Sequence, residues 1–76
     1  MAEKRILHFG QNEDHPDSYD LVVMAEGPEI EEIKQQLTER LFKVTEYQGH
    51  VTAIFTGEWR TIVNRLRFLE RESWKL

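Results

Sequence analysis

Cysteine is absent from the 76 residues of this chain, and its absence excludes several kinds of chemistry. There is no disulfide, no thiolate–metal site and no cysteine nucleophile. No apolar run approaches the length needed to span a membrane, and the N-terminus lacks the apolar segment of a signal peptide. The absence of cysteine is compatible with a reducing compartment, so we expect a cytoplasmic protein.

An excess of basic residues is also missing. Ten Lys and Arg face fourteen Asp and Glu, so the formal net charge is −4. This charge argues against binding of nucleic acid or membrane over the whole surface. Glycine is scarce as well, and each glycine lies at a predicted element boundary: Gly10, Gly27, Gly49 and Gly57. The sequence therefore contains no glycine-rich phosphate loop, and we predict no cofactor.

The short length limits the hydrophobic core. A chain of this size forms one domain and buries only about 60% of its unfolded surface. Its expected stability is a few kcal/mol, and natural domains of this size often gain stability from a further constraint. Without disulfides, we expect that constraint to be oligomerisation or a partner.

Hydropathy and turn residues predict the element order β-β-α-β-β-α. The predicted strands are residues 4–9, 19–25, 42–48 and 50–55. In the first strand, Ile6 shares a face with His8, and Leu7 shares the other face with Phe9. The first helix is expected to begin at Pro28, with acidic residues in its first turn, and to end near residue 41. The second is expected over residues 56–76, with Thr56 as its N-cap.

The last two strands are predicted to form a hairpin around Gln48 and Gly49, because glycine supplies the positive φ of a tight turn. A two-residue loop pairs Val44 with Ala53 and Glu46 with Val51. One side of the hairpin then joins the core, through Phe42, Val44, Val51, Ala53 and Phe55. The other side is polar and carries Tyr47, His50 and Ile54.

A strand–helix–strand unit crosses over right-handed, which limits the topology. If the fourth strand inserts beside the second, the sheet has the order 1-2-4-3 and is mostly antiparallel. This α+β layout resembles the ferredoxin-like fold with its last strand moved to the front. Both helices then cover one face, and the other face is open. A meander of two hairpins is the alternative, and either fold says little about function.

The C-terminal helix has an apolar side and a neighbouring basic side. The apolar side is predicted to complete the core with Trp59, Ile62, Val63, Leu66 and Leu69. The basic stripe consists of Arg60, Asn64, Arg67, Arg71 and Lys75, with Phe68 just beside it and opposite the core. Three interpretations of the stripe are open. It is a solvated face whose arginines pair with Glu70 and Glu72, a contact for another protein, or a contact for nucleic acid.

The last turn of this helix is predicted to extend past the sheet. Glu70 interrupts the apolar side, so residues 70–76 have no evident place on a sheet this small. An exposed tryptophan lowers solubility unless something covers it. Trp74 therefore folds back, packs on a second copy of the chain, or is free, and we expect a second chain to matter here.

Residues 10–18 form a polar loop, and together with Asp20 they supply the potential ligands Glu13, Asp14, His15 and Asp17. Their spacing matches neither a calcium loop nor a zinc site. A solvated loop is expected, with a metal site or a contact to a basic surface as alternatives. The three histidines lie on separate elements and none is paired with a nucleophile. We therefore predict no catalytic residues and no resident metal.

The leading hypothesis is a small non-enzymatic protein-interaction module, a regulator, adaptor or inhibitor acting as a homodimer or in a complex. Its predicted contact residues are Arg60, Asn64, Arg67, Phe68, Arg71 and Trp74. The first alternative is a nucleic-acid-binding protein that uses the same basic helix. The second is a sensor of a small ligand on the open sheet face near Tyr47 and His50.

Overall fold

The computed structural model describes residues 3–76, which form a four-stranded sheet and two helices. The elements are β1 (Glu3–Gln11), β2 (Tyr19–Glu26), α1 (Ile30–Glu39), β3 (Lys43–Tyr47), β4 (His50–Gly57) and α2 (Trp59–Arg71). The sheet order is β1-β2-β4-β3, and every neighbouring pair is antiparallel. The predicted α+β fold and strand order are confirmed, and the simple meander is wrong.

The core lies between one face of the sheet and the two helices. In the central strands alternate residues are buried, and Leu21 pairs with Phe55 while Val23 pairs with Ala53. Strict alternation is what a sheet covered on one face requires. The helices contribute Ile33, Leu37, Ile62 and Leu69 to the same cluster. The opposite sheet face carries Val22, Met24, Thr52 and Ile54, and no described element covers it.

The β3–β4 hairpin has the predicted register. Val44 pairs with Ala53, and Glu46 pairs with Val51. The turn is made by Gln48 and Gly49, with φ of 48° and 80°. Two successive positive φ angles match the right-handed strand twist, so this turn suits a two-residue hairpin.

A β-bulge in β1 corrects the predicted faces of that strand. Ile6 pairs with Val23 but His8 pairs with Val22, so Leu7 is the extra residue. The bulge places Ile6 and Phe9 on the helix-covered face, whereas alternation alone had separated them. The ring of Phe9 then reaches the beginning of α2, where it stacks on Trp59 at 5.8 Å between centroids.

Both helices end in the same chain reversal. At the end of α1 the Phe42 N–H donates to the Leu37 carbonyl at 3.0 Å, and at the end of α2 the Trp74 N–H donates to the Leu69 carbonyl at 3.0 Å. The residue before each donor has a left-handed backbone, with φ of 67° at Leu41 and 64° at Ser73. These are the bonds of a Schellman motif, formed here without glycine.

The second reversal shows that the predicted end of α2 is wrong. The helix ends at Arg71, and residues 73–76 turn back against β1. The Lys75 N–H donates to the Lys4 carbonyl at 3.1 Å, and its carbonyl accepts from the Ile6 N–H at 2.6 Å. Trp74 is thereby buried, with 8% of its surface exposed. Folding back, one of the alternatives for Trp74, is confirmed, and the expectation that residues 70–76 have no place on the sheet is wrong.

Candidate functional site

Four of the five residues predicted to form the basic stripe lie on α2, and the fifth, Lys75, does not. Arg60, Asn64, Arg67 and Arg71 are all exposed on the side of the helix that faces away from the sheet. Lys75 lies beyond the helix, in the segment that pairs with β1. Within residues 3–76 none of the three arginines has a carboxylate within 4.0 Å, so the expected pairing with Glu70 and Glu72 does not form.

Phe68 was predicted to lie opposite the core. In the structure it belongs to the core. Only 5% of its surface is exposed, and Arg40 at the end of α1 covers its ring at 3.7 Å from the guanidinium carbon to the centroid. The prediction failed because a helical projection treats only the sheet-facing side of α2 as buried. It does not include the end of α1, which covers Phe68 from another side. The ring is therefore not available to stack on a base or anchor a partner.

Arg40 and Arg65 are two half-buried arginines that the sequence analysis missed. The Nε of Arg65 donates to the Arg40 carbonyl at 2.7 Å, and the Nη1 of Arg40 donates to the Gln36 carbonyl at 3.3 Å. The Arg65 guanidinium also lies 4.7 Å from the centroid of the Phe55 ring. Each guanidinium is fixed by a hydrogen bond and an aromatic face, and each keeps unused N–H donors. No spacing in the sequence relates residue 40 to residue 65.

These side chains form an open cleft of about 700 Å³ over the second half of α2. Its lining residues are Arg40, Asn64, Arg65, Arg67, Phe68, Glu70 and Arg71. Four guanidinium groups thus share one cleft with a single carboxylate. Guanidinium donors form planar, charge-assisted hydrogen bonds with carboxylate and phosphate oxygens, so the chemistry of this cleft is anion binding.

Trp59 is the exposed aromatic residue beside the basic stripe. It was predicted to be in the core, but 52% of its surface is exposed. One part of the indole packs against Phe9 and Tyr19, with centroid distances of 5.8 and 5.2 Å. A smaller cleft of about 320 Å³ brings Trp59 together with Arg60, Val63, Asn64 and Arg67. The exposed aromatic residue beside the arginines is therefore Trp59, whereas the sequence predicted Phe68 in this role.

The outer side of α1 has the opposite charge. Glu29, Glu31, Glu32 and Glu39 are exposed on or just before this helix. Lys34 offsets part of the charge through contacts with Glu46 and Glu31. The hydrogen bond to Glu46 is the main reason that the pKa of Lys34 is raised. The outer side of α1 is thus mainly acidic, whereas the outer side of α2 is mainly basic.

The acidic loop is organised by its own hydrogen bonds. The Oδ1 of Asn12 accepts from the backbone N–H groups of Asp14 and His15, both at 2.9 Å. Thr56 is the last but one residue of β4 and donates to Asp20 at 2.7 Å, so its prediction as the N-cap of α2 is wrong. Hydrogen bonds from Asn12 and then Thr56 lower the pKa of Asp20. In the described part of the chain no three His, Asp or Glu residues cluster as metal ligands would.

The open sheet face holds the other predicted site. Tyr47 and His50 are paired across the hairpin, and the Nδ1 of His50 lies 2.7 Å from a carboxylate oxygen of Glu26. Beside them is a shallow groove of about 260 Å³, lined in part by Val22, Thr45 and Ile54. It is smaller than the cleft on α2 and carries only one charged residue, Lys43.

Comparison with known proteins gives no family for this chain. No protein-family model matches it. Neither a curated protein nor a solved structure matches it with statistical significance. Among residues 3–76, no helix has the length and apolar character needed to cross a membrane.

Proposed function

We propose that this protein is a small, non-enzymatic interaction module that docks an acidic segment of a partner protein onto the outer face of α2. The observation that carries the proposal is the set of exposed arginines without carboxylate partners, Arg60, Arg67 and Arg71, beside the fixed pair Arg40 and Arg65. Charged groups that lack a partner in the free protein gain the most from a complementary surface.

The chemistry of the cleft supports binding rather than catalysis. Arginine stays protonated at all relevant pH values, so it does not act as a general base or as a nucleophile. A cleft whose polar groups are mainly guanidiniums therefore holds and orients anions. This supports an adaptor, regulator or inhibitor.

The charge distribution supports a protein partner over a nucleic acid. The molecule as a whole carries a net charge of −4. A long polyanion is repelled by the acidic side of α1 and by the acidic loop, whereas a short acidic segment meets mainly the arginines.

Defined peptides test the proposal. Fluorescence anisotropy measures binding of Asp/Glu-rich peptides and of uncharged peptides to the wild type, to Arg67→Gln/Arg71→Gln and to Arg5→Gln/Lys43→Gln. Both double variants lose two exposed positive charges, but only the first loses them from α2. We expect the acidic peptides to bind the wild type and Arg5→Gln/Lys43→Gln with similar affinity. They should bind Arg67→Gln/Arg71→Gln weakly. Equal affinity for both double variants would contradict the proposed surface.

Nucleic-acid binding is the second candidate, and the exposure of Trp59 beside Arg60 and Arg67 favours it. An aromatic face next to arginines is the arrangement on which single-stranded bases stack. An anisotropy titration with single- and double-stranded oligonucleotides, repeated over a range of salt concentrations, tests it. Affinity that falls steeply with salt and is lost in Trp59→Ala would replace the protein-partner proposal.

Homodimerisation, the other form of the interaction hypothesis, has less support than binding to a different protein. It was motivated by the small core and by an uncovered Trp74, and Trp74 is buried by its own chain. We expect a monomer in sedimentation equilibrium at micromolar concentration. A dimer that dissociates in Arg67→Gln/Arg71→Gln would instead make the acidic partner a second copy of this chain.

A further inference from the structure

We propose that the cleft lined by Arg40, Arg65, Arg67 and Arg71 recognises a phosphate monoester, so that α2 docks a phosphorylated segment of the partner protein. This inference rests on the proposed function and specifies its ligand. Its site is the cleft of about 700 Å³, rather than the exposed arginine face as a whole.

The two inner arginines are already held in place. Arg40 is stacked on Phe68 and bonded to Gln36, and Arg65 is bonded to the Arg40 carbonyl. A ligand therefore has little side-chain ordering to induce at these positions, which favours affinity. Phosphate-binding sites use such planar guanidiniums because two parallel N–H groups fit two phosphate oxygens.

The charge of the cleft favours a dianion over a carboxylate. Four guanidiniums line it, and Glu70 is the only acidic residue among its lining residues. A carboxylate contributes one negative charge, whereas a phosphate monoester contributes about 1.5 to 2 and three acceptor oxygens. The phosphate monoester therefore satisfies more of the unused donors and relieves more of the repulsion between the arginines.

The surroundings favour a peptide as the carrier of the phosphate. Leu41 directly follows Arg40, and 74% of its surface is exposed. An apolar residue next to a cationic cleft provides a contact for a side chain that flanks a phosphorylated residue. The net charge of −4 and the exposed carboxylates of α1 also disfavour a nucleic-acid backbone that would extend past the cleft.

The test uses three degenerate peptide libraries with identical flanking positions. Their central residue is phosphoserine, glutamate or serine. We expect the phosphoserine library to bind the wild type about tenfold more tightly than the glutamate library, the ratio for one additional charge-assisted hydrogen bond. Arg67→Gln/Arg71→Gln should abolish this preference and Arg5→Gln/Lys43→Gln should keep it. Inorganic phosphate should compete and shift the NMR signals of the Arg40 and Arg65 Nε–H groups.

The outcomes separate this inference from the function on which it rests. Equal binding of the phosphoserine and glutamate libraries overturns the phosphate site and leaves the acidic-partner module intact. No binding of either library, together with no binding of the Asp/Glu-rich peptides, overturns both. A single-stranded oligonucleotide that binds more tightly than every library also overturns both and makes the protein a nucleic-acid binder.

Discussion

Two residues, Leu41 and Ser73, hold a left-handed backbone conformation that side chains with a Cβ disfavour. Their φ angles are 67° and 64°, and each residue directly follows the C-cap residue of a helix. Glycine is the usual residue at this position, because the left-handed conformation costs other residues about 1 to 2 kcal/mol. The structure keeps the reversal because the next residue, Phe42 or Trp74, becomes buried.

Glycine at these positions should stabilise the protein. We expect Leu41→Gly and Ser73→Gly each to raise the free energy of unfolding by about 1 kcal/mol, measured by urea denaturation. Thr38→Gly, in the last turn of α1, is the control and should lower it by about 0.3 kcal/mol, the difference between the helix propensities of Thr and Gly. If both variants at the left-handed positions lower stability, the backbone strain assigned to them is not present.

Asp20 makes part of the stability depend on pH. Its pKa is lowered by hydrogen bonds from Asn12 and Thr56, so the folded state favours the carboxylate. The resulting stabilisation is complete above the unfolded pKa of about 4 and disappears as pH falls through the lower folded pKa. Urea midpoints of the wild type and Asp20→Asn should therefore differ at pH 7 and converge in strong acid. A difference that stays constant across this range would contradict the assignment.

At the scale of elements, turn residues were sufficient for the β3–β4 hairpin, but period did not predict the bulge in β1 or the end of α2. The two-residue Gln48–Gly49 loop predicted the register of the β3–β4 hairpin correctly. The end of α2 was missed because its chain reversal contains no glycine. The usable signal was a pair of apolar residues five apart, Leu37 with Phe42 and Leu69 with Trp74, which marks the hydrophobic contact of a Schellman motif.

The returning C-terminal segment acts as the additional constraint that a small core needs. It joins the two ends of the chain, because Lys75 pairs with Arg5 and Lys4 donates to the Glu72 carbonyl. Trp74 adds the indole to the core cluster. An intramolecular contact thus covers Trp74, a residue that was predicted as a contact for a second chain.

Substitutions of Trp74 test this role. Trp74→Ala should lower the free energy of unfolding by about 3 kcal/mol or more, because a large buried ring leaves a cavity. Trp74→Phe should cost far less, because it also removes an indole N–H that has no hydrogen-bond partner among the described residues. Thermal unfolding measures both, with Leu76→Ala as a control at an exposed position. Equal losses for the two Trp74 variants would contradict this account.

At the scale of the whole molecule, the outer side of α1 is mainly acidic and the outer side of α2 is mainly basic. Helical spacing was enough to find Arg60, Asn64, Arg67 and Arg71, because these positions share one exposed side of α2. Arg40 was not predictable, because it reaches the cleft only after the end of α1 has been placed beside Phe68. Half of the candidate site thus follows from local periodicity, and the other half follows from tertiary packing.

The division of charge predicts where a partner lies. In the proposed complex an acidic segment contacts the arginine-rich side of α2 and leaves the open sheet face free. The alternative small-ligand site at Tyr47 and His50 lies on that other face, so the two functions are separable by position.

The most direct measurement is an NMR titration of the ¹⁵N-labelled protein with an acidic peptide, mapped residue by residue. The account predicts that the largest shifts lie at Arg60, Asn64, Arg67, Arg71 and Arg40, and that they disappear in Arg67→Gln/Arg71→Gln. Shifts confined to the open sheet face, at Tyr47, His50 and Thr52, would contradict it.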